Sequence, residues 1–226
     1  MKATEIDEIK PRQMGLVPLI LVDVGFSDYQ ATHETQLELV EKKKKDPAFV
    51  DHLIFVEHPE VYTFGRKFSG PVGNELPNAH LVERGGEATY HNPGQLVCYP
   101  ILRLRERERD LNLYLRQLES VLVRLLADFG IEAHGRPGAT GVWLTNQEKK
   151  IASIGVAISS WITYHGCALN VCNDLAGFGR IKPCGYSSEV MTSMKQVLGT
   201  SCPSLESVKE AFLCHFLKVF GRVLVV

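Results

Sequence analysis

Short stretches of the chain are rich in apolar and β-branched residues and are bounded by polar residues, glycine or proline. This is the pattern of buried or half-buried β-strands. It predicts strands at residues 17–22, 53–56, 95–102, 141–144, 151–158 and 161–171. Because helical patterns separate these stretches in no regular rhythm, we expect a mixed β-sheet with packed helices, in the α/β or α+β class.

The first helical pattern follows Ser27, which is predicted to be its N-cap. It ends in a block of four lysines at residues 42–45, just before Asp46 and Pro47, where cations suit a helix C-terminus. We expect this helix to lie on the surface.

Two further helices are predicted to contribute to the core. One begins near Asp110, ends at Gly130 and has an apolar face formed by Leu111, Leu115, Leu118, Leu122, Leu125 and Phe129. The other begins after Ser204, ends at Gly221 and carries Val208, Phe212, His215 and Val219. The chain has no repeat or linker, so residues 1–226 are predicted to form a single domain.

Charge and composition narrow the function classes. Lys and Arg total 25 against 26 Asp and Glu, and the net charge of −1 gives no global field that would favour nucleic acid or an anionic membrane. The N-terminal segment contains three acidic residues and lacks the apolar region of a secretory signal, and no run of about 18 apolar residues occurs. We therefore expect a cytoplasmic protein with six reduced cysteines and with neither a nucleic-acid nor a membrane partner.

Residues 84–95 form the least ordinary stretch, because three glycines and a proline accompany Arg, Tyr and His. Glycine lets the backbone turn at positive φ and lets a ligand approach its N–H groups, so this segment can wrap a substrate. The alternative is a hairpin that turns at residues 92–94, with Arg84 and His91 exposed.

Two predicted strands carry small residues beside polar ones. Lys150 stands before Ser153 and Gly155, and His165 precedes Gly166. Small side chains leave room for a slender ligand. A lysine at the start of a strand is nevertheless usually solvated, and a lone histidine in a strand is more often a hydrogen-bonded core residue than a catalyst.

Cys184 lies between Pro183 and Gly185, in a loop whose backbone N–H groups can stabilise a thiolate or an oxyanion. It is the best placed of the six cysteines to act as a nucleophile. The competing interpretation is an ordinary loop cysteine.

Taken together, these segments resemble the octanoyltransferases of lipoate biosynthesis, also called lipoyl(octanoyl) transferases. The resemblance begins at EHPEVYTFGR, continues through RGGEATYHNPGQLVCYPI and KKIASIGVAI, and ends with TYHGCALNV and IKPCG, so it covers nearly the whole chain in order. Asn92 departs from the pattern, because the family commonly has glycine there. The resemblance implies a fold similar to the catalytic domain of lipoate and biotin protein ligases.

The resemblance also implies the activity and the site. An octanoyl group would pass from octanoyl-acyl carrier protein to a lysine of a lipoyl domain, the first committed step of protein lipoylation, in ping-pong order through a thioester on Cys184. Lys150 would assist the cysteine. The implied substrate-binding residues are Arg84, Gly85, Gly86, Glu87, Ala88, Thr89, Tyr90, His91, Ser153, Ile154, Gly155, Gly166, Cys167 and Ala168.

The implied acceptors are the lipoyl domains of 2-oxoacid dehydrogenase E2 subunits and the glycine cleavage H protein. A thioester is already activated, so no ATP, other cofactor or metal is expected. Two groups of basic residues are candidates for docking an acidic carrier protein. The alternative for each group is that its charges only form a solvated surface. The two groups are Arg66, Lys67, Arg180 and Lys182, and Arg103, Arg105, Arg107 and Arg109.

Three other functions stay open. An ATP-dependent lipoate or biotin ligase of the same fold would activate a free acid as its adenylate and would need no nucleophilic cysteine. A non-catalytic scaffold would keep the motifs for packing alone. A cysteine hydrolase would use His91 or His165 and transfer the acyl group to water.

Overall fold

The computed structural model describes residues 15–70, 76, 78–183 and 185–225. In chain order, the strands within these ranges are β1 (Val17–Phe26), β2 (Asp51–Glu57), β3 (Val61–Phe64), β4 (Ala79–Leu81), β5 (Ala88–His91), β6 (Gln95–Ile101), β7 (Ala133–Gly135), β8 (Val142–Leu144), β9 (Lys150–Ser159), β10 (Ile162–Asn170) and β11 (Arg222–Leu224). The α-helices there are α1 (Tyr29–Lys45), α2 (Leu111–Asp128), α3 (Met194–Leu198) and α4 (Leu205–Phe220).

Eight of the strands described above form one large sheet in the order β11-β1-β2-β6-β10-β9-β8-β7. Strand β1 pairs in parallel with β11 and β2, and the remaining pairs are antiparallel. The other three form a small sheet in the order β4-β3-β5, in which β3 is parallel to β4 and antiparallel to β5. The predicted mixed sheet is therefore confirmed.

All six predicted strands are present, as β1, β2, β6, β8, β9 and β10. The sequence pattern did not indicate β3, β4, β5, β7 and β11. Each of these has only three or four residues. A segment that short is not long enough for an alternating pattern to stand out.

Alternation along β6 gives the large sheet two buried faces. Leu96 and Cys98 pack in the main core, together with apolar residues of α2 and α4. Val97 and Tyr99 point to the opposite face, where they pack with residues of α1 and β10. The small sheet contributes to this second side of the molecule, because Val61 of β3 packs against Tyr29 of α1.

Helix α1 differs from its prediction at its start and in its surroundings. Its N-cap is Asp28 rather than Ser27, since the Asp28 carboxylate accepts a hydrogen bond from Ala31 N at 3.1 Å. The helix lies at the surface as predicted, because ten of its 17 residues are exposed, but the sequence did not indicate its buried face. One face of α1 is buried against the sheet, and it is formed by Tyr29, Thr32, His33, Gln36, Val40 and Lys43.

Helices α2 and α4 begin where the sequence predicts, with side-chain caps from Asp110 and Ser204. In α2, Leu111 does not belong to the core, because 46% of it is exposed. In α4, the fully buried row is Val208, Phe212, Phe216 and Phe220, spaced four residues apart. His215 and Val219 lie beside this row, and His215 Nε2 contacts Asp128 at 2.7 Å. None of the helices described here is long and apolar enough to cross a membrane.

A buried ionic network ties α1 to the parallel edge of the large sheet. Asp51, at the start of β2, lies 2.7 Å from Lys43 Nζ and accepts a hydrogen bond of 3.0 Å from Arg222 Nε. It also accepts one of 2.9 Å from Arg103 N. Burial lowers the pKa of Lys43, and the charge of Asp51 opposes that shift. The carboxylate therefore compensates two cations that water does not reach.

We expect Asp51→Ala to lower the free energy of unfolding by about 3–5 kcal/mol, because it leaves Lys43 buried without its carboxylate and leaves Arg222 with Glu108 alone. Asp128→Ala is the matched control, since the Asp128 side chain is 53% exposed and a surface pair contributes under about 1 kcal/mol. Urea denaturation of both variants measures the difference. Equal losses in the two variants would contradict a stabilising role for the network.

Candidate active site

A slender cavity lies between the second face of the large sheet and the small sheet. The residues that line it come from both sheets, from α1 and from the segment between β4 and β5. They are Tyr29, Thr63, Arg84, Gly85, Gly86, Thr89, His91, Val97, Tyr99, Ser153, Ile154, Gly155, His165, Gly166, Cys167 and Ala168. Most of the substrate-binding residues predicted from the sequence therefore meet in one place.

The segment formed by Arg84, Gly85 and Gly86 links the two sheets. The Arg84 guanidinium is buried and donates to Thr63 O at 2.6 Å and to Thr63 Oγ1 at 3.0 and 3.1 Å. Gly85 N donates to Val156 O of β9 at 2.9 Å. Arg84 is thus held on β3, and Gly85 is held on the large sheet. This excludes the alternative of an exposed Arg84.

Two glycines let this segment approach both sheets closely. A Cβ added at Gly65 would lie 2.5 Å from Gly86 O and 2.7 Å from Arg84 O, distances that real side chains do not adopt. A Cβ at Gly155 of β9 would lie 3.0 Å from Arg84 Cδ and 3.1 Å from Gly85 O. Any larger residue would push the segment outward and widen or distort the cavity.

Strand β5 divides the predicted site residues between two surfaces. Thr89 and His91 line the cavity. Tyr90 points the other way, since neighbouring side chains of a strand alternate, and its ring packs against Tyr62 and Phe178. Tyr90 therefore supports the small sheet and does not line the cavity.

A second, wider groove lies next to the cavity. Glu87 and Ala88 line it together with Phe64, Lys67, Phe68, Ser69, Leu76, Arg180, Ile181 and Lys182. Arg66, Lys67, Arg180 and Lys182 are all exposed. The first basic group predicted from the sequence thus lies along or beside this groove. In the second group, Arg105 is paired with Glu108 at 2.6 Å and Arg103 N bonds Asp51, so at least part of it supports the fold.

Burial holds two histidines neutral beside the cavity. It lowers the pKa of His91 to about 3 and the pKa of His58 to about 4. His58 Nδ1 lies 2.8 Å from the Ser27 carbonyl, which can only accept, so His58 Nε2 accepts from the Tyr99 hydroxyl at 3.0 Å. His91 Nδ1 lies 2.6 Å from Gln95 Oε1. Both rings are buried, and the burial of His91 contradicts the alternative in which Arg84 and His91 are exposed beside a hairpin turn.

Asn92 fills its position with polar contacts. Its side chain donates to Asp174 O at 2.9 Å and accepts from Asn173 Nδ2 at 2.9 Å. It therefore ties the turn between β5 and β6 to the segment that follows β10. No positive φ requires glycine there, whereas Gly94 has φ +87° and its N–H donates to Glu57 Oε2 at 2.9 Å.

Lys150 is a buried lysine and not a solvated one. Only 1% of it is exposed, its Nζ donates to Thr140 O at 2.9 Å, and the same atom lies 5.6 Å from the centre of the Trp143 ring. The Lys150 backbone carbonyl accepts from Thr192 N at 3.0 Å. The chain just after the predicted cysteine loop thus returns to the start of β9.

Cys184 itself lies outside the described residues. The chain that leads to it is held in place, because Pro183 pairs with Ala88 of β5 in a parallel bridge. After it, Gly185 has φ +80°, a conformation that suits glycine. The other cysteines are free thiols, and burial raises the pKa of Cys98 well above its usual range.

Several cavity residues were not predicted from the sequence, namely Tyr29, Thr63, Val97, Tyr99 and His165. The alternation along β6 could have indicated Val97 and Tyr99, because both lie on the face opposite Leu96 and Cys98. Tyr29 had no such signal, because its helix ends in a lysine block and was therefore predicted to lie on the surface. His165 was noted in the sequence but was not assigned to the site.

Comparisons with known proteins agree with this geometry. The family described as the lipoyl protein ligase A/B catalytic domain matches residues 28–217. An octanoyltransferase of Nostoc sp. is 44% identical over 212 residues, which cover 91% of this chain and 94% of that protein. An octanoyltransferase of Syntrophotalea carbinolica is 46% identical over 197 residues, which cover 86% of this chain and 90% of that protein. The chain belongs to the octanoyltransferase family.

Membership of this family makes the protein an acyltransferase, and octanoyl transfer in protein lipoylation is the family's activity. It does not favour the ATP-dependent ligase or the scaffold. A solved structure of lipoate-protein ligase A bound with ATP covers 93% of this chain and 90% of its own, with a TM-score of 0.67 at 17% identity. At that identity the likeness concerns the fold alone, and it confirms the expected ligase-like fold.

The low pKa of His58 makes stability depend on pH. In the unfolded chain this ring takes up a proton as pH falls below 6.5, whereas the folded protein resists protonation down to about pH 4. Its contribution is therefore complete above pH 6.5 and decreases from there to about pH 4. We expect the fall in unfolding free energy between pH 7 and pH 5 to be smaller by about 2 kcal/mol in His58→Gln.

Urea denaturation at the two pH values measures this difference. His134→Gln is the matched control, because His134 is exposed and its substitution should leave the pH dependence unchanged. A pH dependence in His58→Gln equal to that of the unsubstituted protein would contradict the assignment of a neutral, buried His58.

Proposed function

We propose that the protein takes an octanoyl group from octanoyl-acyl carrier protein, holds it as a thioester on Cys184 and passes it to a lysine of a lipoyl domain. The acceptors in this proposal are lipoyl domains of 2-oxoacid dehydrogenase E2 subunits and the glycine cleavage H protein. Residues 1–226 would act as one catalytic domain in the cytoplasm. The observation that carries the proposal is that the family's binding segments, separated along the chain, line one cavity.

The cavity has the chemistry of an acyl site. Its walls combine apolar residues such as Val97 and Ile154 with positions that have little or no side chain, such as Gly85, Gly166 and Ala168. Burying about six methylenes at roughly 0.8 kcal/mol each would contribute on the order of 5 kcal/mol to binding. A chain of that length is slender, which matches a cavity built between two sheets.

Lys150 is suited to assist a nucleophile in the loop that follows Pro183. The buried ammonium is held by a backbone carbonyl and by the face of Trp143, so it needs little reorganisation. A Cβ at Gly141 would lie 2.6 Å from Lys150 Cε, which explains why this neighbour has no side chain. An ammonium close to a thiol lowers the pKa of the thiol by about one to three units and favours the thiolate.

The two half-reactions then balance through this lysine. The Cys184 thiolate attacks the carrier thioester, and the carrier thiolate that leaves takes a proton from Lys150. The neutral Lys150 next accepts a proton from the incoming lysine amine as that amine attacks the enzyme thioester. The amide forms, Cys184 leaves as thiolate, and Lys150 is again an ammonium.

The wider groove is the best candidate for docking the carrier protein. Ala88, which lines the groove, precedes the cavity residue Thr89 along β5 and pairs with Pro183, so a flexible arm from a carrier bound there would reach the cysteine loop. Lys67, Arg180 and Lys182 are exposed along it and would attract an acidic partner. Glu87 is the acidic residue among the groove's lining side chains.

Incubation with octanoyl-acyl carrier protein should add one octanoyl group to the protein, as measured by intact mass. We expect Cys184→Ala to lose this adduct completely, because the bond forms at its sulfur. Cys214→Ala is the matched control, since Cys214 is an exposed thiol on α4 and should leave the adduct unchanged.

Persistence of the adduct in Cys184→Ala would refute the thioester at that residue. Activity that requires ATP and free octanoate, without any adduct, would instead establish the ligase. Release of the acyl group to water, with none transferred to a lipoyl domain, would indicate a hydrolase.

Docking through the groove predicts a selective effect of charge. Arg180→Glu/Lys182→Glu should raise KM for octanoyl-acyl carrier protein about tenfold at low salt, as expected for two reversed charges worth about 1.4 kcal/mol together. The effect should shrink as ionic strength rises. Steady-state kinetics measures it, with Lys42→Glu/Lys45→Glu on the exposed side of α1 as control. An equal rise in KM in both double variants would remove the groove as the docking surface.

A further inference from the structure

Three side chains from distant parts of the sequence meet behind the cavity. His33 lies in α1, Glu83 precedes the Arg84 segment, and His165 lies in β10. Glu83 Oε2 is 3.3 Å from His33 Nε2 and 3.6 Å from His165 Nε2. One nitrogen or oxygen from each residue lies within 4.8 Å of the other two.

These three atoms are buried but have no hydrogen-bond partner among the described residues. The His33 side chain is 9% exposed and the His165 side chain 3% exposed, while Glu83 reaches the surface with its other atoms. A buried polar atom without a partner is costly, so an arrangement that directs three of them at one point needs an explanation.

The backbone holds His165 in this arrangement. His165 has φ +54°, a strained conformation for a residue with a side chain, and its N–H donates to Gln36 Oε1 at 2.8 Å.

We propose that His33, Glu83 and His165 bind a divalent transition-metal ion, for which Zn²⁺ is the best fit, with a fourth position left for water. Neutral imidazole and carboxylate are ligands that zinc prefers, whereas Mg²⁺ and Ca²⁺ prefer oxygen ligands alone. The Arg84 charge opposes a cation here, but it is engaged with Thr63 and Gly85. The Glu83 carboxylate offsets it.

Two of the three ligand separations are close to those around a tetrahedral ion, and the third, between the two ring nitrogens, is within 4.8 Å. Zinc–ligand distances of about 2.0–2.1 Å place neighbouring ligand atoms about 3.3–3.4 Å apart, and two coordinated imidazole rings about 5 Å apart between centroids. The His33 and His165 ring centroids are 5.1 Å apart. The contacts of 3.3 and 3.6 Å to Glu83 lie close to the required separation.

An ion at this position would join three elements around the cavity. It would link α1 to β10 and fix Glu83, the residue immediately before Arg84. The cavity wall formed by Arg84 and Gly166 would become more rigid. The ion would not bind the nucleophilic cysteine, so the site would not depend on the proposed thioester chemistry.

The site is tested by adding zinc to chelator-treated protein. Calorimetry measures the binding, and metal analysis after dialysis gives the number of bound ions. We expect one ion per chain, a higher Tm with zinc, and visible d–d bands of a tetrahedral site after cobalt substitution. His33→Gln should weaken binding at least tenfold and lose these bands. His215→Gln, which removes a histidine on α4, should change neither.

Cysteine thiolates are the competing ligands, so the measurements are repeated in Cys184→Ala. Unchanged binding and no thiolate-to-cobalt charge-transfer band support the His33–Glu83–His165 site. If His33→Gln fails to fold, the unsubstituted protein provides the test. Cobalt bound to it should show no thiolate-to-cobalt charge-transfer band. The proposal is wrong if the protein binds no zinc, if folded His33→Gln binds it equally well, or if the bound cobalt shows thiolate ligation.

Discussion

The structure depends on the close approach of one short backbone segment to two sheets. Arg84, Gly85 and Gly86 fit between Gly65, which follows β3, and Gly155 of β9, where a Cβ would clash at Gly65 and would be crowded at Gly155. The buried Arg84 guanidinium holds the segment on β3, and the hydrogen bond from Gly85 N to Val156 O holds it on β9. This contact keeps the sheets together but leaves a slender space beside it.

The rest of the candidate site follows from strands that border this space. Alternation along β5 sends Thr89 and His91 into the cavity and Tyr90 into the packing of the small sheet. The same strand pairs with Pro183 and so places the cysteine loop beside the groove. Lys150, at the start of β9, is buried with its charge held by Thr140 O and Trp143. In the proposed function, the acyl chain and the activated thiol would therefore lie on adjoining parts of one frame.

Sequence patterns predicted the central strands, and the family resemblance indicated most of the segments that line the cavity, because both depend on local features. Buried strands show as apolar runs, and the close backbone contacts show as glycines. Long-range arrangements left no such signal. The lysine block of α1 suggested a surface helix, although Lys43 is buried by its contact with Asp51 in another element. His33, Glu83 and His165 were not recognised as a group, because they come together only when α1, the Arg84 segment and β10 pack.

The central claim is that the cavity between the sheets holds the acyl chain during transfer. It is tested most directly by loading the protein from a carrier whose octanoyl analogue ends in a photoreactive diazirine, and by mapping the cross-links with mass spectrometry. The account predicts cross-links to residues 84–86, 89, 91, 153–155 and 166–168. Cross-links confined to the groove lined by Phe68, Ser69 and Lys182 would contradict it.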